Sequence, residues 1–163
     1  MLRSFNQVMG STVVLDTSLL VEFLMGTKTG AVLDVMVFKN PFITSVLLNP
    51  LALIEIYYII RRKSTPERAR AEVNKIRKIV QIVSLEDYLE IVGELKATTS
   101  IALADVASIA LAEYKDVKVL FKHEEEIDEK LEHHSSDAFI RRIVFIEDFP
   151  SYKEIEKKFE KKP

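Results

Sequence analysis

The chain contains no cysteine and only 4 glycines in 163 residues. The first absence excludes disulfides, thiolate zinc sites, iron–sulfur clusters and a cysteine nucleophile together, and it suits a reducing compartment. The second leaves no glycine-rich phosphate loop, and in particular none after the first apolar run, where a dinucleotide-binding turn would stand. A dominant charge sign is also missing. The net charge is -2, so contact with nucleic acid has to come from a local basic patch. The longest apolar stretch, Leu47 to Ile60, is too short for a bilayer and contains Asn49, Pro50 and Glu55. Met1 to Gly10 carries Arg3, Ser4, Asn6 and Gln7 and has no apolar core, unlike a signal peptide. These absences predict a cytoplasmic protein without membrane association. Residues 1–11 read as a loose N-terminal extension, and 12–163 as one domain.

An apolar fraction of 48% is ample for a buried core. Thr12 to Leu15 reads as a buried strand. Asp16 can cap a following helix to about Met25, and a second helix runs from Thr29 to about Lys39. Asn40-Pro41 ends that helix, and Phe42 to Ser45 reads as a strand. Asn49-Pro50 and Thr65-Pro66 each pair a capping side chain with a proline at the first helical position. They predict helices to about Arg62 and about Lys78. Val80 to Val83 reads as a strand, and Ser84 with Asp87 resembles a capping box for a helix to about Lys96. Ser100 is placed to cap a helix through Tyr114. Val117 to Phe121 and Ile143 to Ile146 read as further strands, and Ser151 to Lys161 as a charged amphipathic helix. Strands alternating with helices predict an α/β fold with a central, mostly parallel sheet flanked by helices. Ligands in such folds sit at the carboxyl ends of the strands.

Three carboxylates stand out by position. Asp16 ends the run Val13-Val14-Leu15. Glu55 interrupts the apolar sequence from Leu51 to Ile60, and Asp105 interrupts that from Ile101 to Ala110. Each has a structural explanation: a helix cap for Asp16, a buried cationic partner or a solvent edge for Glu55, and a favourable helix dipole for Asp105. Together they are more specific, because three acids in apolar settings repel one another unless a divalent cation joins them. Oxygen ligands without cysteine suit Mg²⁺ or Mn²⁺ rather than Zn²⁺. Such chemistry uses one ion, or two about 3.5–4 Å apart.

The segment Val13-Val14-Leu15-Asp16-Thr17-Ser18-Leu19-Leu20 resembles the opening of PIN domains, including the VapC-like toxin ribonucleases. Leu53-Ile54-Glu55-Ile56-Tyr57-Tyr58 resembles their second acidic motif, and Leu103 to Ala112, around Asp105, their third. The resemblance extends from Thr12 to Ile146. It implies a PIN-like three-layer fold and metal-dependent cleavage of RNA. Asp16 and Asp105 would be metal ligands, Glu55 a ligand or water-orienting base, and Ser18 a hydrogen-bonding group in the acidic site. It also implies an RNA substrate, an antitoxin partner and a homodimer. Many family members follow the fourth core strand with Ser or Thr and then Asp, whereas this chain has Lys122-His123-Glu124-Glu125-Glu126. Glu124 is the expected fourth acid, and Glu125 its nearest rival.

The remaining polar features have bland readings beside functional ones. His123 reads as solvent-exposed rather than as a ligand, and His133-His134 as poorly placed to share a metal. The basic run Arg61-Arg62-Lys63, with Arg68 and Arg70, is either a solvated helical face or a phosphate-contacting surface. An RNA-processing nuclease without an antitoxin, and a degenerate domain that binds RNA or protein without cutting, are the alternative functions. A phosphatase of the DxDxT type is excluded because position 18 is Ser.

Overall fold

The structure, a computed structural model, describes residues 3–134 and 137–160. Five strands form one sheet in the order β3-β2-β1-β4-β5, and every neighbouring pair is parallel. They are β1 (Thr12–Leu15), β2 (Ser45–Leu48), β3 (Gln81–Ile82), β4 (Lys118–Phe121) and β5 (Ile143–Phe145). Strand alternation sends Val13 and Leu15 to one face and Val14 to the other. Both faces are therefore apolar, as a sheet covered on two sides requires. Helices α1 (Arg3–Met9), α2 (Thr17–Met25), α3 (Lys28–Leu33), α4 (Pro50–Lys63), α5 (Pro66–Ile79) and α9 (Pro150–Glu160) pack over the Leu15 face. Helices α6 (Leu89–Thr98), α7 (Leu103–Lys115) and α8 (Glu125–Glu132) pack over the Val14 face. This is the expected three-layer α/β arrangement. Among the described residues no helix is long and apolar enough to cross a membrane.

The proline-led helices begin where the sequence places them. Asn49 Oδ1 accepts from the Ala52 amide at 3.1 Å and Thr65 Oγ1 from the Arg68 amide at 3.3 Å. Other boundaries differ. The second strand is Ser45–Leu48 rather than Phe42 to Ser45, because Asn40 closes a turn on Phe42 and Ile43. The apolar run before Asn49 is then free to pair with β1, Val13 opposite Val46. Neither Ser84 nor Ser100 caps a helix: Leu85–Tyr88 is a 3₁₀ turn leading into α6, and α7 starts after Ala102, which has no polar side chain. The helix after Thr27 ends in a single π-type turn, Asp34–Phe38. Helix α8 was not foreseen. It is short and mostly charged, and it is held by Ile127 and Leu131, buried one turn apart.

The N-terminal segment is not loose. Arg3–Met9 is helical, with Phe5 and Met9 buried in the core. The Phe5 ring meets the edge of Phe149 at 4.8 Å between centroids. The two anchors stand at i and i+4 on one helix face, with the polar Asn6 and Gln7 between them. Phe5→Ala should therefore cost about 3 kcal/mol or more in denaturant unfolding. A change within about 0.5 kcal/mol, as at an exposed site, would restore the reading as a loose extension.

Candidate functional site

The sheet order reverses between β1 and β4, and this switch point is where a parallel sheet opens a crevice at its carboxyl edge. The Asp16 amide donates to the Leu120 carbonyl at 3.0 Å, so β1 and β4 stay paired up to the residue where the site begins. A cavity of about 260 Å³ opens there. Asp16, Ser18, Glu55, Asp105 and Glu124 all line it. The five residues singled out in the sequence are thus brought to one place, from the end of β1, the start of α2, the middle of α4, the first turn of α7 and the loop after β4.

The helices carrying Glu55 and Asp105 lie over opposite faces of the sheet and meet at its carboxyl edge. Asn49, fully buried, joins them. While its oxygen caps α4, its Nδ2 donates to Ser108 Oγ on α7 at 2.8 Å. One side chain therefore fixes both the start of α4 and its position against α7. The sequence identifies Asn49 as a cap; its second bond depends on a partner 59 residues away. Helix α7 is buried along Val106 to Ala112. Helix α4 is not buried all round as its composition suggests, since Ile54 is 63% and Tyr58 41% exposed.

Asp16 is 3% exposed. Its Oδ2 accepts from the Ser18 amide at 2.9 Å and the Ser18 hydroxyl at 2.6 Å. These bonds make Asp16 the cap of α2 and fix its carboxylate. They also commit the Ser18 hydroxyl to Asp16. Among the described residues Asp16 Oδ1 is buried with no hydrogen-bond partner, and so is Glu55 Oε2. An acceptor atom withdrawn from water without a donor is costly. Burial pushes Asp16 up to about 6, against the Ser18 hydrogen bonds and with help from the Glu55 charge. Asp105 is pushed up to about 8 by burial and by the charges of Asp16, Glu55 and Glu124. Asp16 is indeed a helix cap, and Asp105 stands in the first turn of α7, where the dipole would favour its ionised form. Neither accounts for the unpartnered oxygens.

The acids ring the pocket rather than closing on a point. Among the described residues no three His, Asp or Glu side chains stand close enough to hold one ion as they are. The donor set is all carboxylate, with two acceptors unpartnered, which fits a hard divalent cation and not a soft one.

Two features of the site were not singled out in the sequence. Lys122, directly after β4, lines the pocket and places Nζ 2.6 Å from Glu22 Oε1 and 3.4 Å from Glu124 Oε1. Glu22 on α2 also accepts from the Thr27 hydroxyl. Burial alone would raise Glu22, but the bonds from Lys122 and Thr27 outweigh it and hold it below the ordinary value. Glu125, the rival fourth acid, begins α8 and is exposed. His123 turns away from the pocket. It stacks on Phe145 at 3.9 Å and bonds Asp128 and Asp148 at 3.0 Å, and it is more engaged than a free surface histidine. His134 bonds Asp137 at 2.7 Å. Lys161, the expected end of the terminal helix, lies outside the described residues.

A three-layer parallel fold with acids gathered at its switch point defines a class of small α/β domains. The sequence model of the PIN domain matches residues 13–132, most of the chain, so the chain belongs to the PIN domain family. Among solved structures it resembles VapBC2 from Rickettsia felis, bound to a DNA fragment from its promoter. The TM-score is 0.56 at 13% identity, over 73% of this chain and 92% of that one. It also resembles a toxin–antitoxin complex from Klebsiella pneumoniae, at TM-score 0.56 and 14% identity, over 81% and 95% of the two chains. At such identities the shared property is the fold. No curated protein matches the chain.

The raised acid at Asp105 has a stability consequence with a definite sign. Its folded value of about 8 lies well above the ordinary aspartate value of 3.8. The folded chain therefore keeps a proton that the unfolded chain loses, and stability falls as pH rises between those values. In metal-free protein, Asp105→Asn should raise Tm by several degrees near pH 8.5 and change it little near pH 4. A severe loss of Tm in the metal-free variant would instead make Asp105 part of a structural ion pair.

Proposed function

We propose that this protein is a metal-dependent endoribonuclease. The observation that carries the reading is the pair of buried, unpartnered oxygens, Asp16 Oδ1 and Glu55 Oε2, in one pocket with Asp105 and Glu124. Asp16, Glu55 and Asp105 would hold Mg²⁺ or Mn²⁺. When bound, that ion would supply positive charge to a phosphodiester oxygen and acidify an attacking water. Ser18 acts by locking Asp16 in one orientation. Glu124, at the rim, would accept a proton from the water, with Glu55 as the alternative base if it does not ligate.

A polyanionic substrate is supported by the neighbouring surface. A second groove, between α2 and the α4–α5 corner, shares Val21 and Ile59 with the acidic pocket and carries Lys63 and Arg68. Arg61 and Arg62 precede it in the last turn of α4. A phosphate chain entering the pocket would run along Lys63 and Arg68, which supports the phosphate-contacting reading of the basic run, although Glu72 also lines the groove.

Both similar solved structures are toxin–antitoxin assemblies, which supports a toxin neutralised by an antitoxin; a cytoplasmic location and a homodimer are part of the same proposal. An RNA-processing nuclease without an antitoxin would use the same site. The engagement of Glu124 by Lys122 favours, as a second reading, a domain that has lost catalysis and binds RNA or protein.

The test is incubation of a mixed-sequence RNA with Mn²⁺, Mg²⁺ or EDTA, using wild type and Asp105→Asn purified identically. The expected result is cleavage that needs metal and falls at least about 100-fold in the variant, the scale of losing a catalytic group. Equal cleavage by both proteins, or none by wild type, would favour the binding module.

A further inference from the structure

We infer that Lys122 stands in for a second divalent ion, so that the acidic pocket binds one Mg²⁺ or Mn²⁺ and presents the Lys122 ammonium as its other fixed positive charge. The inference rests on the metal-dependent reading above and adds the number of ions and the residue that sets it.

The carboxylates of the pocket divide into two groups. Glu22 and Glu124 share one ammonium, Lys122 Nζ, at 2.6 and 3.4 Å. Glu126, at the rim, pairs with Lys130 one turn along α8. Asp16, Glu55 and Asp105 are the acids of the pocket with no ion pair among the described residues, and two of them carry the unpartnered oxygens. Three carboxylates suffice for one divalent ion, which would leave that group with one net negative charge. A second ion needs a fourth ligand, and the fourth acid is already engaged. To reach Glu124 it would have to displace the ammonium or sit beside it, two like charges in a partly buried pocket.

Lys122 is not a loosely held surface side chain. Its side chain is 23% exposed and follows directly on β4, so its backbone is fixed by the sheet. Its main partner is fixed as well. Glu22 is held by the Thr27 hydroxyl, and α3 packs against α2 at Gly30, where an added Cβ would meet the Glu22 carbonyl at 2.2 Å. The ammonium is therefore positioned before any ligand arrives. At the mouth of the pocket it can meet a non-bridging phosphate oxygen or the departing oxygen, the charges that a second ion would otherwise stabilise.

The test counts Mn²⁺ bound per chain by electron paramagnetic resonance and calorimetry at pH 8, with no RNA present. Wild type should bind one ion. Lys122→Met, which keeps the packing of the stem but removes the charge, should bind two, and Lys122→Arg should stay at one. Two ions on wild type would overturn the inference and leave the nuclease reading standing; that count needs no variant to fold. One ion on a folded Lys122→Met would also overturn it. No Mn²⁺ on wild type would remove the metal-dependent reading itself, and this inference with it.

Discussion

Carboxylates that share a poorly hydrated pocket repel one another, and the fold holds them there against that repulsion. Two unit charges about 4 Å apart cost about 4 kcal/mol at the effective dielectric of a protein surface. Here the metal-free chain limits the cost by protonation: Asp105 is pushed to about 8 and Asp16 to about 6. What keeps the acids together is built around them. The β1–β4 pairing runs up to Asp16, the Ser18 bonds fix its carboxylate, and Asn49 ties α4 to α7 through Ser108. The two apolar layers anchor these elements and make the strain affordable. Sites arranged this way commonly serve function rather than stability.

The topology explains why the acids come from distant parts of the chain. A parallel sheet with a reversal between β1 and β4 brings the loops after those strands side by side. Helix α4 comes from one face and α7 from the other, so Glu55 and Asp105 approach the same edge from opposite layers. Lys122 enters from the loop after β4 and divides the acids into a pair that shares its ammonium, Glu22 and Glu124, and a trio with no ion pair among the described residues. The groove with Lys63 and Arg68 continues from that pocket, so the charge along the surface changes sign from the acid trio to the cations beside it.

Much of this was legible in the sequence because it rests on local signals. An acid that ends an apolar strand, and acids that interrupt apolar helices, identified Asp16, Glu55 and Asp105 without any fold. The Asn-Pro and Thr-Pro pairs located α4 and α5 because capping is local. The errors came where a tertiary contact decided. Phe5 and Met9 turn a polar-looking segment into a core helix through packing with Phe149. Ser84 and Ser100 look like caps, but the chain leaves them outside their helices. Lys122 passed unnoticed because its importance depends on Glu22, 100 positions away. Val46 to Leu48 joined β2 because β1 offers a partner there.

Diffraction from crystals soaked in Mn²⁺, with anomalous data collected, most directly examines whether these acids form a metal site. The account predicts a peak within ligand distance of Asp16 Oδ1 and the Asp105 carboxylate, with Glu55 turned toward it. A peak at another cluster, such as Asp128 and Asp148 around His123, with none at Asp16, would contradict it.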